Sequence, residues 1–593
     1  MSLIWKGDFA GLPGKVVLAN PMVCTNTAKG DNKLYSDARG VVPSLDLRFA
    51  SQKNLNDYMT GTPLVDHQRS MSGSNLSAGT FVNSSGLIET AKVNLVSYSQ
   101  EFENSYYTKA NITTMQATTD VAAPDGTFTA RYISGASNGR FTISSSNFTS
   151  QSGRRKSIYL RAVSGSPVVN ALTQAATDPN PVTLSSTEWL RFEIDTPSSE
   201  VGGTTFVLDF RGSSTTTEVY AWGLQIEEGS AATTYIPTTN VPSAAPRFDH
   251  DPTTGESLGL LIEESRTNLI AFSATFGGWG VSSSGDGSNP TSQTVSISAP
   301  DNTTQTRELT FNRTTASTSN TSLFSKGQQL SGASVPTGSI YVKAARQSDI
   351  GKIINVYLSQ TFVPVADLQE VTLTDSWQRV SSVGQNTFTT SLVVGLYSGT
   401  ASTGEVKVLL WGAQLEEGSF PTSYIPTTGT ALTRSADVAS ITGSNFSSWY
   451  NQSEGTVFGN YSSFSYGNAT TLPTTAHFTD GTLNNYIRLN SGSAYVVRNF
   501  TNTGNVNQSN VTTGGVPASG VSYSFAVGIA LNDMAVYANG LSKFDTTYLV
   551  PVVNKIQIGN WFTQSNTWLN GTISRLTYFP ERLPDATLQA ITA

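Results

Sequence analysis

The sequence predicts an all-β protein of tandem antiparallel jelly-roll or β-sandwich domains, and three observations predict it. One module of ~150 residues occurs twice, the runs within it alternate with period two, and no long stretch carries a helical period.

The repeat comes first. Copy one opens Asn94-Leu95-Val-Ser-Tyr98-Ser99-Gln-Glu-Phe102, and copy two opens Asn268-Leu269-Ile-Ala-Phe272-Ser273-Ala-Thr-Phe276. Ala123-Pro124-Asp125 then matches Ala299-Pro300-Asp301, and Ser157-Ile-Tyr159-Leu-Arg161-Ala matches Ser339-Ile-Tyr341-Val-Lys343-Ala. Val182-Thr-Leu184, followed by Trp189 and Arg191, matches Val371-Thr-Leu373, followed by Trp377 and Arg379. The copies end Trp222-Gly-Leu-Gln225-Ile-Glu227-Glu228-Gly229 and Trp411-Gly-Ala-Gln414-Leu-Glu416-Glu417-Gly418, and both run on to Tyr-Ile-Pro-Thr-Thr at Tyr235 and Tyr424. The offset grows from 174 residues between Asn94 and Asn268 to 189 between Tyr235 and Tyr424, so copy two carries 15 extra residues, expected in loops.

The strands follow from alternation. Tyr220, Trp222, Leu224 and Ile226 alternate with Val219, Ala221, Gly223 and Gln225, and copy two repeats this with Leu409, Trp411, Ala413 and Leu415. Large residues at every second position predict a half-buried strand. Several such runs separated by turn signals predict a sandwich or jelly roll. Between the copies, Pro242, Pro246 and Pro252 predict an extended linker ending in a turn. After Thr428 the chain is again strand-like, with a hairpin expected at Asn539-Gly540 and a short helix around Leu588–Ile591, Asp585 lying near its N-terminus.

Composition bounds the function. At about 100–200 residues per domain, 593 residues imply about three to five domains. With 38% hydrophobic, 10% aromatic and 13% charged residues, the chain is too apolar to be disordered. A net charge of −7, with Arg154-Arg155-Lys156 as the densest basic cluster, argues against nucleic acid as a partner. The single cysteine, Cys24, excludes an intrachain disulfide and is expected to be a small buried or interfacial residue. The N-terminus, from Met1 through Trp5 to Asp8, does not read as a signal peptide, and no run of ~18 apolar residues predicts a transmembrane helix. A soluble protein is expected.

Gly259-Leu260-Leu-Ile-Glu263-Glu264-Ser-Arg266-Thr267-Asn268-Leu269, preceded by Pro246-Arg247-Phe248-Asp249-His250-Asp251-Pro252, resembles a signature of tailed-phage structural proteins. Gly86-Leu87-Ile88-Glu89 and the two Trp-Gly-x-Gln-(Ile/Leu)-Glu-Glu-Gly ends belong to the same pattern. The modules resemble carbohydrate-binding jelly rolls carried by phage tail fibres and related appendages. The C-terminal region, with Gly571-Thr-Ile573-Ser574-Arg575-Leu576 and Arg582-Leu-Pro-Asp585, resembles a concanavalin A-like (laminin-G-like) sandwich. One departure is that copy one begins at Asn94 without the Glu-Glu-x-Arg-Thr-Asn motif. The expected organisation is an N-terminal virion-attachment region (1–88), jelly-roll module 1 (89–239), a linker (240–265), jelly-roll module 2 (266–428) and the concanavalin A-like domain (429–593).

The resemblance implies a virion appendage, tail or capsid fibre, that binds host-surface polysaccharide and other virion proteins as a homo-oligomer, a trimer if it is a fibre. The alternatives are a capsid decoration or fibre subunit that mainly binds protein, and a polysaccharide depolymerase. No enzyme activity is expected. Glycoside hydrolysis needs two carboxyls ~5–9.5 Å apart, and adjacent strand residues such as Glu227/Glu228 and Glu416/Glu417 point to opposite faces. His67, His250 and His477 have no metal-ligand spacing, and Asp249 and Asp251 around His250 read better as a polar turn than as a cation site. No glycine-rich stretch has a phosphate-cradling spacing. No cofactor is expected, with a structural calcium ion left open. Sugar rings stack on aromatic faces while polar side chains hold their hydroxyls. The repeated Trp189, Trp222, Trp377 and Trp411 are expected in cores, leaving Tyr106, Tyr107, Trp279, Trp449, Tyr450, Trp561 and Trp568 as carbohydrate-binding candidates, each with packing as its competing reading.

Overall fold

A computed structural model describes residues 40–71, 76–143, 153–173, 180–196, 205–304, 306–359, 364–385, 387–464, 472–492, 495–515, 517–561 and 567–592. Cys24 and residues 1–39 of the expected attachment region lie outside them. The architecture is all-β, built as two jelly rolls and a C-terminal sandwich.

In module 1 the strand Arg131–Ile143 pairs through its first residues with Glu218–Glu228 and through its last with Thr205–Asp209, passing from one layer to the other. Its partner Tyr107–Ala117 follows the bend by register shifts around Ile112, where Asn111 takes φ 54°. Module 2 divides the same ribbon into separate strands, giving two five-stranded sheets. One holds Gly280–Ser284, Thr321–Ser334, Thr387–Leu396, Ile353–Ser359 and Pro364–Thr372, and the other Ser288–Val295, Thr306–Arg313, Gly404–Glu417, Pro336–Ala344 and Gln378–Val383. Most of the extra residues of copy two fall between Asp301 and Ser339 and between Ala344 and Val371.

The closing strand of each module departs from simple alternation. Val219 and Ala221 face the core of module 1, so Tyr220 and Trp222 face outward. A bulge between Trp222 and Gln225 then shifts the phase, and Leu224 and Ile226 return to the core. Gly223 makes the shift at φ 64°, and a Cβ there would meet the ring of Tyr159 at 3.3 Å. Gly412 repeats this at φ 63°, with Trp411 outward and Ala413 and Leu415 inward. The strand is therefore buried on both faces, where strict alternation predicted one.

The C-terminal sandwich draws on three parts of the sequence. Its larger sheet joins Gly571–Phe579, Gly455–Ser463, Tyr523–Ala530, Asp533–Ala538 and Leu541–Asp545 to Phe248–His250, Ser257–Ile262 and Leu45–Leu47. Its seven-stranded sheet includes Asp66–Gln68 paired to Val438–Thr442. Leu45, Leu47, Phe49, Leu64 and Val65 share its core with Leu260 and Ile262, each burial worth ~1.5–3 kcal/mol. The proline-marked segment 240–265 thus carries two strands of this sandwich rather than an extended linker, and residues 45–68 are integral to it. The hairpin at Asn539-Gly540 has positive φ at both residues (49° and 73°), and the final helix is Asp585–Thr592 with Asp585 in its first turn.

A buried ion network holds module 2 to this sandwich. Asp437 accepts Arg69 at 2.5 Å and Arg247 at 2.6 Å, with His67 3.4 Å away. Glu263 pairs with Arg247 at 2.8 Å and Arg434 at 3.0 Å. Glu264 of the same signature pairs with Arg266, whose guanidinium donates to the Glu417 carbonyl. Gly418 lies beside it, and a Cβ at that position would displace the guanidinium.

Candidate functional site

The seven candidate aromatics do not form one surface. Tyr106 and Tyr107 lie edge to face in module 1, with Tyr107 only 2% exposed and its hydroxyl donating to the Ser97 and Tyr98 carbonyls. Trp279 stacks on Phe324 at 4.9 Å at the core of module 2. Trp449 and Tyr450 are buried among Phe446 and Tyr578 in the C-terminal sandwich. Trp561 is buried under the Arg488 guanidinium, and Trp568 packs on the same sandwich with its indole N–H donated to the Asp437 carbonyl. All seven rings are buried or half-buried, which is the competing packing reading rather than an open carbohydrate-binding surface.

The polar candidates are structural as well. Glu227 is buried and caps the return loop through Thr233 N and Oγ1, and Glu416 does the same at Thr422. Their neighbours Glu228 and Glu417 point away. His250 contacts the Val82 carbonyl and His477 contacts Gln557. Asp251 closes a turn by accepting the N–H groups of Thr253 and Thr254. Among the described residues no three His, Cys, Asp or Glu side chains converge as metal ligands, and no helix is long and apolar enough to cross a membrane.

The repeated Trp222 and Trp411 are buried, as expected of core residues, and with the rings packed around them they form an aromatic platform. On the outer face of module 1, Trp222 packs against Tyr235 at 4.5 Å and Tyr159 at 5.3 Å, and the Arg191 guanidinium lies 5.3 Å over Tyr159. Module 2 reproduces it with Trp411, Tyr424 at 4.6 Å, Tyr341 at 5.5 Å, and Arg379 5.6 Å over Tyr341. Trp189 and Trp377 anchor the rims by donating to the Ala122 and Ser298 carbonyls. The tyrosine hydroxyls are fixed by Ser99 and Ser273. The outer tryptophans are 3% and 1% exposed, while the tyrosine–arginine edges remain half-buried.

Among the described residues, module 2 alone is roofed. The hairpin Thr80–Val82/Ile88–Thr90 lies over its platform, pinned by Thr80 Oγ1 to the Tyr424 carbonyl (2.6 Å) and by Ile88 N–H to the Pro300 carbonyl (2.8 Å). Ile88 packs directly on Trp411 and Tyr424, whereas the cluster in module 1 contains residues of module 1 only. Beneath the roof is a half-open cavity of about 180 Å³, walled by Phe81, Val82, Leu261, Tyr341 and Phe464 and carrying Arg379, Asp249 and Glu263. Apolar walls with a few convergent polar groups describe a binding cavity.

The two carboxyls differ. Burial and the charge of Glu263 push Asp249 up to about 6, against the opposing Val82 N–H bond of 2.7 Å. Burial would raise Glu263 too, but Arg434 and Arg247 outweigh it and hold that carboxyl at about 2. Glu263 is therefore a fixed, neutralised wall, while Asp249 is the responsive group.

The sequence reading missed Asp249, Arg379 and Tyr341 as a site. The offset of 174 that aligns Ile88-Glu89 with Ile262-Glu263 was a signal that a leader segment precedes each copy, but nothing local says that the first leader covers the second copy.

No family model matches the chain, and no curated protein matches it. Among solved structures it is similar to the CBM40 of a Ruminococcus gnavus IT-sialidase bound to α2,3-sialyllactose, at 18% identity over 24% of this chain and 84% of that one, with a TM-score of 0.21. The CBM22-1–CBM22-2 tandem domain of Paenibacillus barcinonensis Xyn10C gives 14% identity over 56% and 100%, with a TM-score of 0.22. Domain 4 of the Geobacillus stearothermophilus arabinanase AbnA, in complex with arabinotriose, gives 15% over 27% and 73%, with a TM-score of 0.21. Identities and TM-scores this low establish no relationship.

Proposed function

We propose that the chain is a non-enzymatic subunit of a phage virion appendage that binds host-surface glycans through its jelly-roll modules. One observation carries the glycan reading: the aromatic–guanidinium platform, present twice and roofed once into a cavity with a facing carboxyl. Aromatic faces take the apolar side of a sugar ring, and guanidinium and carboxylate groups take its hydroxyls. The virion reading rests on the Glu263-Glu264-Ser-Arg266-Thr267-Asn268 signature and its surroundings. Attachment to other virion proteins is assigned to the N-terminal region 1–88, of which residues 45–68 also contribute strands to the C-terminal sandwich. As a homo-oligomer, a trimer in a fibre, the appendage would multiply weak sites into avid binding.

The test is binding of the full chain to the host bacterium and to its purified surface polysaccharide. Binding to both is expected, without release of reducing ends. Binding to neither overturns the glycan reading, and release of reducing ends overturns the non-enzymatic one. Electron microscopy of the particle is expected to place the chain on a projecting appendage.

A further inference from the structure

The roofed cavity has a size, a charge and a geometry that the open platform of module 1 lacks. We infer that it is a subsite for a single neutral pyranose unit, held between Arg379, Tyr341 and Asp249. This rests on the glycan-binding reading above and narrows it to one ligand class and one of the two modules.

Size sets the first limit. Pockets for drug-sized ligands run to ~300–1,000 Å³. A cavity of about 180 Å³ admits one sugar ring and excludes a second, so the remainder of a chain must leave through the open side.

The polar groups set the second. Arg379 donates one bond, from Nη2 to Ser339 Oγ at 3.0 Å, and its Nε has no partner among the described residues. Asp249 uses Oδ1 for the Val82 N–H. A guanidinium and a carboxyl on the walls of one cavity offer a donor and an acceptor to adjacent ring hydroxyls, each of which can both donate and accept. The half-buried Tyr341 ring supplies the apolar face against which a ring lies.

Charge sets the third. Glu263 is neutralised by Arg247 and Arg434, leaving Arg379 and Asp249 to balance each other. Two carboxyls, Asp249 and Glu263, line the cavity beside the single guanidinium of Arg379, so a further negative charge there meets a repulsion that a neutral ring avoids.

Module 1 shows why the site is specific to copy two. Its Arg191 donates to the Thr233 carbonyl at 2.6 Å and to Ser157 Oγ at 3.1 Å, and pairs with Glu193 at 3.5 Å. Copy two replaces Glu193 by Ser381, which leaves Arg379 available to a ligand.

The experiment is saturation-transfer NMR and titration of the full chain with methyl glycosides of neutral hexoses and N-acetylhexosamines, and with methyl glycosides of glucuronic and sialic acid. At least one neutral glycoside is expected to bind, with the acidic ones at least about tenfold weaker. Asp249→Asn and Arg379→Leu are each expected to weaken binding by about tenfold or more, the loss expected for a hydrogen bond to a charged group. Lys326→Ala, on the opposite sheet of the module, is the control expected to bind as the unsubstituted chain does. Asp249→Asn keeps the Val82 bond, so a folding failure does not mask the result. Wild-type affinity in both cavity variants, or preference for an acidic glycoside, overturns the subsite. If the chain binds host polysaccharide but no monoglycoside, the subsite fails and the broader reading stands; if it binds neither, both fail.

Discussion

In module 1 the arginine over the platform tyrosine is engaged within its own module, by hydrogen bonds to the Thr233 carbonyl and Ser157 and an ion pair with Glu193. In module 2 the matching Arg379 makes, among the described residues, the serine bond alone and lines a half-open cavity roofed by the hairpin Thr80–Val82/Ile88–Thr90. The aromatic scaffolds beneath are nearly superposable in their ring distances. Duplication has therefore left one copy as a self-satisfied sandwich and the other as a site completed by foreign segments. The lesson is that a repeated core can be kept while its outer face is put to a new use. What differs is one replaced carboxylate and the path of the flanking chain.

The largest test of this difference lies in the joint. Asp437→Asn leaves Arg69 buried without its counter-charge and Arg247 with Glu263 alone, and a loss of about 3–5 kcal/mol is expected. Calorimetry is expected to show the transition of module 2 and the C-terminal sandwich falling while that of module 1 holds. A parallel fall in module 1 would break the comparison.

Acid titration follows in size. Glu263 sits at about 2 against an ordinary 4.5, so its contribution is present above 4.5 and lost as pH falls through about 2. The amount is about 3 kcal/mol. Asp249 runs the other way: raised from 3.8 to about 6, its contribution is full below 3.8 and lost as pH rises through about 6. Circular dichroism melts from pH 2 to 8 are expected to show the roofed half gaining stability above pH 2 and then giving some back near pH 6. Module 1, with no such pair, is expected to lack the second phase.

A smaller effect sharpens the same point. Asp249→Asn removes the ionisation and is expected to stabilise the chain by about 1–2 kcal/mol at pH 7 while weakening sugar binding. A destabilised variant would show that the carboxylate serves the fold. The smallest expected effect is shared: Gly223→Ala and Gly412→Ala each force φ near 64° on a residue with a Cβ and crowd a platform tyrosine, costing about 1–2 kcal/mol in both modules alike.

Much of the fold was legible because it is local. The repeat exposed the paired tryptophans, the Asn-Leu openings and the Glu-Glu-Gly ends, and the structure gives them structural work: Asn94 and Asn268 each donate to two carbonyls across the module. The phase shift at Gly223 was hidden, because Tyr220, Trp222, Leu224 and Ile226 alternate cleanly in sequence while the bulge divides them between two faces. Segment 240–265 misled through its prolines, which lie outside the strands Phe248–His250 and Ser257–Ile262. The seven candidate aromatics are all buried or half-buried, because being outside the repeat does not keep a large apolar ring out of a core. The site was least legible of all, since its roof and floor come from residues more than 200 positions apart, such as Ile88 and Trp411.

The pairing of Leu45–Leu47 with Gly571–Phe579 also dictates when the molecule can be finished. Asp46 meets Arg575 in a buried ion pair at 2.8 Å across 529 residues of chain, and Thr577 completes the same contact. At ~5–20 residues per second of synthesis, Asp46 waits on the order of half a minute to nearly two minutes for that partner. Module 1 has its own core to close in the interval, but the sandwich and the sheet that carries Asp249 cannot. A ribosome that stops short of Arg575 releases a chain whose carboxylate at 46 keeps Arg48 as its counter-charge but lacks Arg575, and whose central strand is missing. The last-made strand thus acts as a completeness check, restricting the finished cavity to molecules translated through to it.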